Sequence, residues 1–109
     1  GEQEQADGTW QEMIELNGNA LQITGAMLNS NATALLEAGR GFLRTAGNPE
    51  QLLVDLSRVE DTDASALGVL FAWLRTAKQV GVDLRIAHIP ASMVSQARLY
   101  GVYETLPLA

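Results

Sequence analysis

The stretch Asp61-Thr62-Asp63-Ala64-Ser65-Ala66-Leu67-Gly68-Val69-Leu70 decides the reading of this chain, because an acidic, hydroxyl-bearing turn opens there directly into an apolar helix. Just before it, Leu52-Leu53-Val54-Asp55-Leu56 is apolar on both alternations except at Asp55, the pattern of an interior strand near the middle of the sheet, covered more completely than its neighbours. The chain therefore leaves a sheet, turns through side chains able to cap a helix, and re-enters the core. Asp63 is the expected cap, since its carboxylate can accept from the free amides of the first turn and its charge suits the positive end of the helix dipole.

Outward from this turn, strands and helices alternate. Residues 64–80 read as one helix closed by Gly81. Leu84 and Ile86 then alternate with Asp83, Arg85 and Ala87 as a strand with one polar face. Pro90 suits a first helical turn, Met93, Val94 and Ala97 continue it, and Gly101 ends it. On the amino-terminal side, Ala32, Leu35, Leu36, Gly39, Phe42, Leu43 and Ala46 make an apolar stripe, with Asn29 and Ser30 as candidate caps and Gly47-Asn48-Pro49 as a stop. Two short arms joined by Asn17-Gly18-Asn19 form a hairpin, the first from about residue 10, the second with Leu21 and Ile23 on one side and Gln22 and Thr24 on the other. Residues 1–8 are polar and aperiodic and read as a flexible lead-in; residues 9–109 read as a single domain.

This order implies an α/β fold with right-handed crossovers into a mostly parallel sheet of four or five strands, the first arm antiparallel. Because two strands have one polar face, the three or four helices are expected mainly on the other face.

With seven basic against thirteen acidic residues the 109-residue chain carries a net charge of -6, which argues against nucleic acid and anionic membranes as general partners. No cysteine is present, so thiolate metal sites, disulfides and cysteine nucleophiles are excluded. No run of about twenty apolar residues is found, and the chain is read as cytoplasmic, without direct membrane insertion. His88, the only histidine, reads as structural rather than as a metal ligand or base; Asp55 and Ser57 have no histidine placed beside them by sequence. No cofactor, metal or catalytic residue is expected, and the protein is read as a non-enzyme.

The helix after the turn carries more apolar surface than one sheet face needs. Leu67, Leu70, Phe71, Leu74 and Ala77 form one stripe, and Ala66, Val69, Trp73 and Val80 an adjacent one. On the remaining side lie the small residues Ser65, Gly68 and Ala72, which would let another protein come close. Trp73 is either an interface anchor there or packs under a neighbouring helix, and its exposure decides between the two.

Leu53-Val54-Asp55-Leu56-Ser57, the run Asp63-Ala64-Ser65-Ala66-Leu67-Gly68-Val69-Leu70, and Lys78-Gln79-Val80-Gly81 before an aliphatic strand resemble the STAS domain shared by sulfate transporters and anti-sigma factor antagonists. The family motif is an Asp, a phosphorylatable Ser or Thr, a small residue, Gly, Leu, Gly. Asp63, Leu67 and Gly68 match it, while Ala64 stands at the phosphoacceptor position and Ala66 in place of the usual glycine. Leu56-Ser57-Arg58-Val59, Ala97-Arg98-Leu99-Tyr100-Gly101 and Leu106-Pro107 look like the small free-standing STAS subunit of Mla-type phospholipid transporters. That resemblance implies docking on the cytoplasmic ATPase of the ABC transporter at the inner membrane, with Asp63, Ala64, Ser65 and Leu67 at the contact. With the small-residue face added, the expected partner-binding set is Asp63, Ala64, Ser65, Leu67, Gly68, Ala72 and Trp73. The alternative is an anti-sigma factor antagonist switched by a kinase, for which Ser65 is the candidate phosphorylation site. A small-ligand or nucleotide binder is a third reading, resting only on the anion-friendly helix start. Oligomeric state is left open.

Overall fold

The computed structural model describes residues 13–45 and 51–109. The lead-in, the start of the first arm and the Gly47-Asn48-Pro49 stop, with Ala46, lie outside the described residues. The first element, β1 (Ile14–Asn17), turns through Gly18 and Asn19 into β2 (Ala20–Met27), with Ile14 opposite Ile23 and Asn17 opposite Ala20. Gly18 has φ 62°, the left-handed backbone that glycine supplies without a side-chain clash. Helix α1 (Ala32–Thr45) leads to β3 (Gln51–Thr62), α2 (Ala64–Val80) to β4 (Asp83–Ala87), and α3 (Ala91–Leu99) to a short 3-10 turn (Tyr103–Thr105).

The four strands are ordered β1-β2-β3-β4, the first pair antiparallel and the other two parallel. Two successive crossovers of the usual hand, moving the same way across the sheet, put their helices on one face. Burial agrees: Leu21, Ile23, Leu52, Val54, Leu56, Leu84 and Ile86 point into the core, while Thr24 and Asp83 on the opposite face are exposed and Asp55 and Arg85 half-buried. The mixed sheet, its hairpin and the helical layer match the expected architecture.

Two strands run further than the hydrophobic pattern suggests. Strand β2 continues through Gly25 (φ 92°) to Met27, and β3 through residues 57–62, polar except for Val59, pairing Thr24 with Arg58 and Met27 with Thr62 across two register shifts. Main-chain bonds hold this extension, so side-chain alternation does not reveal it. Asp61 and Thr62 thus end a strand, and the turn into α2 narrows to Asp63.

The helix ends follow backbone chemistry. Asn31, not Asn29 or Ser30, opens α1: its carbonyl accepts from Leu35 N at 3.0 Å, while its side chain accepts from Leu28 N at 2.9 Å and donates to Ala26 O at 2.8 Å. At the other end of α2, Gly81 (φ 79°) donates to Lys78 O and Val82 to Ala77 O, a paired glycine stop that answers the last carbonyls. The tail returns to the sheet edge, where Ile86 N donates to Pro107 O and Ala109 N to Ile86 O, both at 2.9 Å.

Helix α2 is the centre of the helical layer. Ala66, Leu67, Val69, Leu70, Ala72, Trp73, Thr76 and Ala77 are all buried, an arc too wide for the sheet alone. The neighbouring α1 covers the rest. Trp73 is 0% exposed, its indole N–H donates to Leu36 O at 3.0 Å, and it lies against Gly39, where a Cβ would overlap the ring. Glycine in that helix is explained by close approach rather than by backbone conformation.

Candidate functional site

The start of α2 is assembled from three chain segments. Asp63 caps the helix from an extended backbone (φ -128°, ψ -171°): one carboxylate oxygen accepts from Ser65 N at 2.8 Å, the other from Asn29 N at 2.9 Å. Its own N–H donates to Met27 O at 3.3 Å, so the cap is tied to the end of β2 as well. Hydrogen bonding by the Asn29 N–H lowers the Asp63 pKa below the ordinary carboxylate value; partial burial raises it, and the bond from Ser65 N lowers it further. Ser65 Oγ donates to Asn29 Oδ1 at 3.3 Å. Beside this cluster the Thr62 and Ser92 hydroxyls meet at 2.8 Å, joining the start of α2 to that of α3.

The seven expected contact residues separate into two groups. Ala64 and Gly68 are exposed, and a Cβ on Gly68 would meet nothing within 4 Å; Asp63 and Ser65 are partly exposed. Leu67, Ala72 and Trp73 are 5%, 4% and 0% exposed. Those three belong to the core: the placing of Ala72 on the outer, small-residue side is corrected, Trp73 packs under α1 rather than anchoring an interface, and Leu67 faces inward with the core stripe. In their place Phe71 and Leu74, expected in the core stripe, are only partly buried, and Arg75 and Lys78 are exposed. The outer face of α2 is therefore Ala64, Gly68, Phe71, Leu74, Arg75 and Lys78, recurring at helical spacing.

Sequence also missed a second cluster. His88 closes β4 with φ 57°, a left-handed conformation unusual for a residue with a side chain, and its Nδ1 lies 3.1 Å from Asp55 Oδ1. Ser57 N donates to the same oxygen at 2.9 Å. Partial burial raises the Asp55 pKa, but the Ser57 amide and hydroxyl and the His88 ring outweigh it and hold the carboxyl below its usual value. Serine, histidine and aspartate are thus brought together, contrary to expectation, but serine and histidine both engage the carboxylate. Among the described residues no hydrogen bond joins Ser57 to the imidazole, so the relay a nucleophilic hydroxyl needs is not assembled. Only the parallel register of β3 and β4, which places Asp55 beside Ala87, could have revealed the cluster.

Among the described residues no group of three or more metal-ligating side chains lies together. An open depression of about 520 Å³ is lined by Arg98, Gly101, Tyr103 and Glu104 at the end of α3, with the Arg98 guanidinium 4.8 Å from the Tyr103 ring centre. No helix in the described residues is long and apolar enough to cross a membrane.

Residues 10–108 match the family model described as "Mlab, STAS domain". The chain belongs to this STAS family. Solved structures share the STAS fold. A putative anti-sigma factor antagonist from Thermotoga maritima superposes with a TM-score of 0.70 at 14% identity, covering 91% of this chain and 86% of that one. An anti-sigma factor antagonist from Mycobacterium paratuberculosis gives 0.68 at 23% identity, covering 87% and 80%. A sulfate transporter family protein from Wolinella succinogenes gives 0.64 at 17% identity, covering 81% and 70%. No curated protein matches the chain. STAS domains of this kind act as interaction modules.

Proposed function

We propose that this STAS domain is a non-catalytic, cytoplasmic subunit that docks on and supports the ATPase of a Mla-type phospholipid transporter through the start and outer face of α2. The observation that carries the reading is the chemistry of that start. Ala64, at the family's phosphoacceptor position, is exposed and has no hydroxyl, and it sits beside the open Gly68 on a helix end held rigid by Asp63. A contact meant to be permanent needs no phosphate there; it needs a small, preorganised surface. The family description supports the transporter as the setting.

Co-purification with the ATPase subunit tests it. Gly68→Arg, which projects into open space, should abolish binding while the protein keeps its helical signal and melting temperature. Binding that survives in the folded variant would remove α2 from the contact.

The second reading, an anti-sigma factor antagonist phosphorylated on Ser65, draws on the partial exposure of that hydroxyl at a helix start. A phosphate there would lie against the Asp63 carboxylate, which repels it. Incubation with a cognate anti-sigma kinase and ATP should leave the intact mass unchanged if docking is constitutive; a gain of one phosphate, absent in Ser65→Ala, would favour the switch.

A further inference from the structure

Two helices depart from the acidic balance of the chain. Helices α2 and α3 contain Arg75, Lys78 and Arg98 and neither Asp nor Glu, although the chain carries thirteen acidic residues against seven basic ones. All three cations are exposed, and none forms an ion pair with another described residue. Lys78 and Arg98 lie in last turns, where a cation suits the helix dipole. The dipole accounts for neither Arg75 nor the lack of acids along both helices.

Apolar surface lies among these cations. Phe71 and Leu74 are partly exposed on α2, and Leu99 is 78% exposed on α3. Both helices leave the carboxyl ends of adjacent parallel strands, and the Thr62–Ser92 hydroxyl contact holds their starts side by side. Phe71 follows Ala64, and Leu99 follows Ser92, by the same two turns, about 10 Å down each axis. Each side chain thus lies about two turns from the start of its own helix, on two helices whose starts are adjacent.

We infer that the partner segment seated on this surface is an acidic amphipathic helix, its apolar side against Phe71, Leu74 and Leu99 and its carboxylates toward Arg75, Lys78 and Arg98. This rests on the docking reading of α2 and extends the footprint onto α3. Partly exposed apolar side chains on two adjacent helices suit the apolar stripe of a third, and the net positive charge of α2 and α3, with Glu104 the acid beside Arg98, is complementary to acidic residues on its flanks. An anionic membrane is the weaker occupant, because a broad surface meets the field of the whole molecule, whose net charge is -6.

The test measures affinity of the purified protein for the transporter ATPase subunit at low and high salt. The variants are Arg75→Glu/Lys78→Glu, Leu99→Ser, Gly68→Arg and, as a control on β3, Arg58→Glu, with circular dichroism confirming each fold. The double reversal and Leu99→Ser should each weaken binding by about tenfold or more, and Arg58→Glu by less than about twofold. Salt should weaken the unmodified protein but not the double reversal. If Gly68→Arg abolishes binding while the double reversal and Leu99→Ser bind normally, the acidic-helix inference falls and the docking reading stands. If the unmodified protein does not bind the ATPase subunit, the docking reading falls and takes the inference with it. Co-sedimentation with phosphatidylglycerol vesicles that is lost in the double reversal would assign the surface to a membrane and overturn the inference.

Discussion

Replacing Gly39 with alanine tests the packing that moves Trp73 from a candidate surface anchor to the core. A methyl group at that position would overlap the indole at Cε2 and Nε1 and lie 2.6 Å from Cζ2, against an ordinary contact of 3.4 Å or more. The ring has no room to retreat, since it is 0% exposed and tied to Leu36 O. Overpacking of this kind costs about 1–3 kcal/mol. Dragging the indole N–H off its acceptor adds about 1–3 kcal/mol for a buried unsatisfied donor. Alanine returns about 1 kcal/mol because it is the better helix former. The net expectation is a loss of about 1–5 kcal/mol, with a midpoint of about 3 kcal/mol, combining these three terms. At about 4–8 °C per kcal/mol for a domain near this size, that midpoint corresponds to a fall in melting temperature of about 12–24 °C. Thermal and urea denaturation followed by circular dichroism would measure it. Pairing Gly39→Ala with Trp73→Leu should recover part of the loss as a coupling of about 1 kcal/mol or more. A Gly39→Ala protein as stable as the parent would refute the close approach of α1 to α2.

Three further predictions follow from the same geometry. Ala72→Arg should unfold the protein, because it forces a charge into a 4% exposed site, at a cost of about 3 kcal/mol or more; Gly68→Arg should leave the melting temperature within a few degrees, which a thermal scan of the pair would reveal. His88→Val should cost about 1–3 kcal/mol because a β-branched residue is strained at φ 57°, whereas His88→Gly relieves the backbone and loses only a surface pair worth about 0–1 kcal/mol; equal melting temperatures would count against the strained corner. Asp63 has a lowered folded pKa, so the unfolded chain binds the proton more readily and stability rises with pH through that window. The advantage of the parent over Asp63→Asn should be full above the ordinary carboxylate value of 3.8 and close as pH falls through the lowered folded value, as acid titrations of both proteins would report.

Much of this fold is legible because its punctuation is local. Asp63, Gly81, Pro90 and Gly101 bound α2 and α3 in sequence as they do in space, and the alternation of Leu84 and Ile86 marks β4. Hidden features depend on pairing at a distance. The extension of β3 to Thr62 rests on hydrogen bonds to β2, and polar side chains such as Arg58 and Glu60 conceal it. At the site, Asp63, Ala64, Ser65 and Gly68 could be placed from the turn alone. Whether Trp73 is inside or outside could not, because the deciding residue is Gly39, on another helix, and a glycine says nothing about what fills the space beside it. The doubly apolar surface of α2 therefore has two owners: α1 and the sheet take most of it, and Phe71 and Leu74 are left over.

The tail that pairs with Ile86 gives the two margins of the sheet different characters. On the β4 side the Ile86 donor and acceptor are both occupied by Pro107 and Ala109, so a foreign strand finds no vacant main-chain ladder at that residue. The β1 side is a four-residue strand with Glu15 and Asn17 on its outward turns. Among the described residues, charge and brevity mark one margin and a fold-back of the chain marks the other, so two unrelated devices disfavour the addition of a foreign strand at the two margins.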